Sequence, residues 1–355
     1  MTQTAAVLTH GWFRTVNAKT AHGLVRGPSR YRILGLVDHE CAGMDAGEAM
    51  DGQRRGIPVF STLDGLIAAA GKPDVCVIGV ATPGGVLPPE FRALLLQAIA
   101  AGIGVVNGLF TFLSEDPEIA AAARRAGVEL IDIRKPKPRG ELHFWTGEIL
   151  KVRAPRLAVL GTDCALGKRT TCHALADACR QAGIRAEIVH TGQTGWLQGI
   201  RWGFVLDATV NDFVSGELEH AILACSRDAR PELILLEGQS ALRNPSGPCG
   251  SELLLSGAAR GVVLQHAPAR RYFESQDEIG SVIPPLREEI ALIRLYGAEV
   301  LGITLNHQDL NEGDLEPARR RIEEETGLPT VYPLREGVGR LLPAITAYVA
   351  RETIQ

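Results

Sequence analysis

The stretch Leu157-Ala-Val-Leu-Gly161-Thr162-Asp163-Cys164-Ala165-Leu166-Gly167-Lys168-Arg169-Thr170-Thr171 decides how the second half of this chain folds. A short apolar run suited to a buried strand enters a loop bounded by two glycines, and a lysine with hydroxyl residues then opens a run of good helix formers over 173–182. In that order, the loop N–H groups and the helix N-terminus converge on one point. An anion such as phosphate is stabilised there, and the lysine adds a mobile positive charge. The spacing departs from the standard phosphate loop. Five residues separate the glycines, and Arg169 stands where Ser or Thr normally ligates Mg²⁺. Either Thr170 takes that role in a shifted register, or metal-assisted phosphoryl transfer is not the chemistry of this site. A plain glycine turn with a surface lysine is the competing reading, and the agreement of strand, loop and helix argues against it.

Outward from this loop, strand-like runs recur at 186–190, 233–237, 261–265, 300–306 and 330–333, so the second half reads as a P-loop-type parallel sheet. Leu233-Ile-Leu-Leu-Glu237-Gly238-Gln239 ends a buried-type strand in an acid, which at a carboxyl end faces the crevice where ligands bind. Glu237 suits a proton acceptor or a water-bridged Mg²⁺ site; a helix-capping acid is the plain alternative. His190-Thr-Gly-Gln193-Thr-Gly195 offers hydroxyls and an amide at a second strand end, where a glycine turn with a partly buried histidine is equally consistent. Asp212, after Asp207 in the next loop, could orient an amine or be a surface acid. Asn306 closes another strand with a paired donor and acceptor able to read an adenine edge, or to form a turn.

The first half alternates strand-like runs at 5–9, 33–38, 75–80, 104–107 and 129–133 with alanine-rich helical stretches at 63–70, 89–101 and 117–126. Gly71, Gly102 and Gly127 follow those stretches as C-caps. This pattern predicts a Rossmann-like domain. Its first strand runs into His10-Gly11-Trp12-Phe13-Arg14 and not into a G-x-G-x-x-G turn, which argues against a dinucleotide even though Asp38 ends the second strand. Lys19, His22 and Arg26 would share one helical face, either as a cationic clamp for carboxylate or phosphate or as a solvated surface. The connector Arg134-Lys-Pro-Lys-Pro-Arg139-Gly140 disfavours helix, and the expected domains are 1–140 and 141–355.

The 355 residues suffice for two domains, and 39 glycines with 5% aromatics suit many tight βα turns. The 37 basic and 41 acidic residues leave a net charge of −4, with no field that would steer nucleic acid or anionic lipid. Seven cysteines without a C-x-x-C pair, no secretory leader and no long apolar run point to reduced thiols in a cytoplasmic protein that neither spans a membrane nor binds nucleic acid. Small-molecule partners are expected, in a homo-oligomer.

The order of Gly161 to Thr171, Thr191-Gly-Gln-Thr-Gly195, Asp207 to Asp212-Phe-Val214, and Glu237-Gly-Gln239 resembles a bacterial and archaeal family long catalogued as a domain of unknown function. That family joins a Rossmann-like N-terminal domain to a P-loop C-terminal domain, and its characterised branch is the DgcN-type D-glutamate N-acetyltransferase. The second half is similar, more distantly, to dethiobiotin synthetase and its ATP-dependent relatives. The first resemblance implies transfer of acetyl from acetyl-CoA to the amino group of D-glutamate or a related amino acid. Gly161, Thr162, Asp163, Gly167, Lys168, Arg169, Thr170, Thr171 and Asn306 would then hold the coenzyme, while Glu237, Asp212 and His190, in that order, are candidate bases. Gln193, Gln239, Arg243, Lys19 and Arg26 are candidate substrate contacts, with Arg243 suited to clamping a carboxylate; no resident metal is required. The second resemblance implies ATP with Mg²⁺ on Glu237 and Thr170 or Thr171. A nucleotide-binding protein without turnover is a third reading.

Overall fold

The protein is described here from a computed structural model covering residues 2–354. It contains two compact units: the first runs through Lys137 and includes Gln193–Ile200, and the second comprises Pro138–Gly192 and the chain from Arg201 onward. Both are parallel-sheet α/β units with helices on both faces, the first Rossmann-like and the second of P-loop type.

In the first unit the strands are β1 (Thr4–Leu8), β2 (Arg32–Val37), β3 (Val59–Phe60), β4 (Val75–Ile78), β5 (Gly104–Asn107) and β6 (Leu130–Asp132). They form one parallel sheet in the order β3-β2-β1-β4-β5-β6. Because successive side chains leave opposite faces, Ala6 and Leu8 of β1 enter one core with Leu66 and Leu95, while Ala5 and Val7 enter another with Ala21 and Leu24. The helices are α1 (Lys19–Arg26), α2 (Ala46–Asp51), α3 (Leu63–Ala70), α4 (Phe91–Ala100) and α5 (Pro117–Ala126). Local sequence sets their ends. Asp116 accepts from the Glu118 and Ile119 amides ahead of Pro117, and Gly127 closes α5 in the left-handed conformation.

The second unit contains β7 (Arg156–Gly161), β8 (Ala186–His190), β9 (Trp202–Gly203), β10 (Leu233–Glu237), β11 (Gly261–His266), β12 (Glu299–Leu305) and β13 (Thr330–Val331). Their order is β13-β12-β11-β7-β10-β8-β9, so the strand that feeds the glycine loop is central, between β11 and β10. The helices used below are α6 (Lys168–Gln181), α7 (Gln193–Leu197, grouped with the first unit), α8 (Asn211–Ala229), α9 (Ser251–Leu255), α10 (Leu286–Leu295) and α11 (Glu312–Thr326). The structure differs from the sequence reading around Asp212, which lies in the first turn of α8 and not in a loop. Buried Glu217 and Glu219 interrupt the apolar face of α8. They accept hydrogen bonds from the amides of His143, Thr146 and Ile149, an arrangement that hydrophobic periodicity cannot reveal.

Asp38 explains the unusual turn after β1. Its fully buried carboxylate accepts from Thr9 Oγ1, Gly11 N and Phe13 N through one oxygen, and from Glu40 N and Cys41 N through the other. The β1 turn amides, which bind pyrophosphate in a dinucleotide fold, are here held by the protein's own carboxylate. Removing it strands several buried donors at once. Asp38→Ala is therefore expected to cost at least about 3 kcal/mol, measured by urea unfolding, whereas an exposed control such as Asp64→Ala should change stability by less than about 0.5 kcal/mol.

Candidate functional site

The loop from Gly161 to Gly167 leaves the carboxyl end of β7 and is fastened on both sides. The Thr162 amide donates to Gln265 O, and Thr162 Oγ1 lies 3.0 Å from His266 Nδ1. Asp163 turns completely inward and accepts from Asn244 Nδ2 at 3.1 Å, Arg270 Nη1 at 2.9 Å and the Glu274 amide at 2.8 Å. Ala165 takes a left-handed φ of 51°, and Gly167, at φ 103°, turns the chain into α6. Only glycine adopts that second conformation without strain. The amides of Cys164 through Lys168 have no acceptor among the described residues. Ala165 and Gly167 are exposed, and a run of free N–H groups at a helix start can receive anionic oxygens.

Lys168 lies beneath this cradle, 7% exposed, with Nζ donating to Asp163 O at 2.6 Å and Ser240 O at 2.8 Å. Burial pulls its pKa below the usual lysine value, and nearby anionic groups oppose that shift. The close approach of β10 depends on Gly238, where a Cβ would stand 2.2 Å from Val159 O.

Arg169 projects toward Glu237, its Nη1 lying 3.7 Å from Oε1. Glu237 is 3% exposed and also accepts from the Thr191 amide at 3.3 Å. Burial raises its pKa, and Arg169 is the largest opposing influence. A guanidinium and a carboxylate thus face each other where a standard phosphate loop has a metal-binding hydroxyl and a strand-end acid. Thr171 Oγ1 donates to Gln265 Oε1 at 2.5 Å inside the sheet, while Thr170 is partly exposed.

The remaining sequence candidates are dispersed. Asn306 reaches the loop, its Nδ2 donating to Leu166 O at 3.2 Å, and Gln239 donates to Thr191 Oγ1 beside Glu237. His190 is buried at the end of β8, and Asp212 is exposed on α8. Arg243 is bonded to Glu289 at 2.7 Å and Glu288 at 2.9 Å, so its charge is matched within the protein. Gln193 accepts from Arg134 Nη2 in the first unit, where Lys19 is exposed on α1 and Arg26 pairs with Asp51. Sequence reasoning missed Arg270, Asn244, Gln265 and His266. Gln265 ends the strand predicted over 261–265 and His266 follows it, at the end of the observed β11 beside the glycine loop, a position that could have drawn attention to them.

Comparison with known proteins agrees with this geometry. Residues 143–342 match the domain of unknown function described as the DUF1611_C P-loop domain, and residues 39–136 match the DUF1611_N Rossmann-like domain. The chain belongs to the DUF1611 family. A protein of Tritonibacter scottomollicae named D-glutamate N-acetyltransferase is 32% identical over 293 residues, covering 81% of this chain and 84% of its own. A protein of the same name from a Pseudoalteromonas species is 30% identical over 272 residues, covering 75% and 79%. A crystal structure of a DUF1611 family protein from Anabaena variabilis superposes with a TM-score of 0.87 at 30% identity, covering 97% of this chain and 99% of that one. Among the described residues no helix of this DUF1611 protein is long and apolar enough to cross a membrane.

The Arg169–Glu237 pair has a pH signature. A carboxylate whose folded pKa is raised contributes most stability below its unfolded value and loses it as pH rises through the folded value. Arg169→Met removes the counter-charge and raises the Glu237 pKa further. Its destabilisation should therefore be small at pH 4.5 and grow to about 2 kcal/mol at pH 8, read from urea midpoints. A cost independent of pH would show that the pair does not interact electrostatically.

Proposed function

We propose that this protein is an N-acetyltransferase that moves the acetyl group of acetyl-CoA to the amino group of D-glutamate or a related acidic amino acid. The observation that carries the reading is the guanidinium of Arg169 held against Glu237 beside an open phosphate cradle. A cation at that position favours phosphate while repelling Mg²⁺, and acyl transfer, unlike phosphoryl transfer, needs no metal. The names of the two relatives point to the same chemistry.

The cradle fits the phosphates of coenzyme A: the Cys164 to Lys168 amides and the Lys168 ammonium supply donors and charge, and Asn306 lies at the rim with its own amide. Acetyl-CoA would supply an activated acyl group as a thioester, with coenzyme A leaving as the free thiol. An amino acid's ammonium must lose a proton before its nitrogen can attack. Glu237 is the group best suited to take that proton, because it ends β10 beside the cradle and burial raises its pKa above the usual carboxylate value, which strengthens it as a base. His190 and Asp212 are the alternative bases. Gln239, bonded to Thr191 next to Glu237, suits an orienting role toward the acceptor.

The direct test supplies purified protein with acetyl-CoA and a panel of D- and L-amino acids while following free thiol, and in parallel with ATP and Mg²⁺ while following ADP. Thiol release should require an acidic amino acid and persist in EDTA. Lys168→Ala should raise the KM for acetyl-CoA about 100-fold, as expected when a buried charge contact to phosphate is lost. ADP formation without thiol release would sink the acetyltransferase reading in favour of an ATP-dependent enzyme.

A further inference from the structure

Thr191, the first residue after β8, is fully buried and meets two side chains at the end of β10, Glu237 and Gln239. Its amide donates to Glu237 Oε2 at 3.3 Å, and its hydroxyl donates to Glu237 O at 2.8 Å. Gln239 Nε2 donates in turn to Thr191 Oγ1 at 3.1 Å. The Gln239 amide is packed closely against this turn, since a Cβ on Gly192 would stand 2.7 Å from Nε2.

The direction of these bonds is forced. A threonine hydroxyl carries one proton, and a backbone carbonyl can only accept. Once that proton goes to Glu237 O, Oγ1 has only lone pairs left for Gln239, so the amide must present its N–H groups there and not its oxygen. Turning the amide over would set two acceptor oxygens against one proton in a buried place, and one of them would lose its partner. Gln239 is half-buried, its Oε1 is held away from Thr191, and no donor among the described residues reaches that oxygen.

One strand end thus presents two kinds of acceptor, the Glu237 carboxylate and the Gln239 amide oxygen, both tied to Thr191. An ionised carboxylate offers about four lone-pair sites, and Glu237 uses one on the Thr191 amide, with Arg169 Nη1 standing 3.7 Å away. Acceptors side by side match a cation with several N–H donors and repel carboxylate and phosphate oxygens; an ammonium group has three donors and no acceptor. We infer that Glu237 and Gln239 bind the α-ammonium of the acceptor, and that Thr191 is the positioning residue that makes this end of the site selective for ammonium by fixing the Gln239 amide with its oxygen outward. The inference rests on the acetyltransferase reading for the identity of the acceptor. When Glu237 takes a proton from the ammonium, the amine keeps its hydrogen bond to Gln239 Oε1 and stays in place for attack.

The test uses full-length Thr191→Val, which removes the hydroxyl at nearly constant shape, Thr191→Ser, which keeps it, and Gln239→Met, with urea midpoints to check folding. In the thiol-release assay the KM for D-glutamate should rise about tenfold in Thr191→Val and Gln239→Met, as expected when a hydrogen bond to a charged group is lost, and stay within about threefold of wild type in Thr191→Ser. The KM for acetyl-CoA should hold in all three. A fall in kcat that tracks the urea midpoint, with the D-glutamate KM unchanged, overturns the inference. Calorimetric titration with and without coenzyme A supplies a readout independent of turnover. Wild type should bind D-glutamate about tenfold more tightly than glutarate, which lacks the amino group, and Thr191→Val should bind the two about equally. Should Thr191→Val not fold, Gln239→Met reads the same preference. Absence of the preference in wild type, or its persistence in the variants without the hydroxyl or the amide, overturns the inference. If no thiol is released from any acceptor, the acetyltransferase reading fails. The titration then decides the ammonium site alone, and wild type that does not bind D-glutamate overturns it.

Discussion

The buried carboxylate of Asp163 is the constraint on which the second unit depends. A loop whose amides are to meet a ligand cannot satisfy them internally, so it must be held open by something other than its own backbone hydrogen bonds. Asp163 supplies that hold through Asn244, Arg270 and the Glu274 amide, contacts drawn from two separate connections of the sheet. With the carboxylate fixed, its carbonyl oxygen faces back to receive Lys168 Nζ. The aspartate that follows the first glycine and threonine therefore orients the lysine through its own carbonyl oxygen.

Charge placement around this anchor follows from burial. Lys168 and Glu237 are both nearly inaccessible, and each is driven toward its neutral form. Arg169 counters the tendency at Glu237 because a guanidinium stays protonated at any pH the protein meets. A serine or threonine at position 169 would leave that acid dependent on a bound metal for compensation. The departure from the standard motif thus changes which groups stabilise the strand-end acid, and with it which chemistry the strand end favours.

Much of the fold was legible because it rests on short-range signals. The strands of both sheets are apolar runs ended by turn residues, and α3 and α5 carry their own caps at Thr62, Asp116 and Gly127. The site was legible where it is contiguous, from Gly161 to Thr171, and at Glu237, whose strand end is set by Gly238. It was not legible where partners meet across the fold. The sequence does not reveal that Arg243 meets Glu288 and Glu289, or that Asp163 meets Arg270 from the connection after β11. Buried Glu217 and Glu219 hid α8 for the same reason: their stabilisation comes from amides some seventy residues away.

The two units offer a controlled contrast between similar strand ends. In each, a buried aspartate organises the turn that follows a central parallel strand. In the first, Asp38 accepts from the turn amides of Gly11 and Phe13, so the anion those amides could have bound is already part of the chain. In the second, Asp163 accepts from Asn244, Arg270 and Glu274 instead, and the amides of Cys164 to Lys168 are left for an outside anion. The same residue type therefore closes one strand end and opens the other, depending on whether its donors come from the turn itself or from neighbouring connections. Glycine count alone cannot separate these cases, since both turns contain the residue. The difference lies in where each carboxylate finds its hydrogen bonds, which leaves the turn amides unengaged after β7 and not after β1.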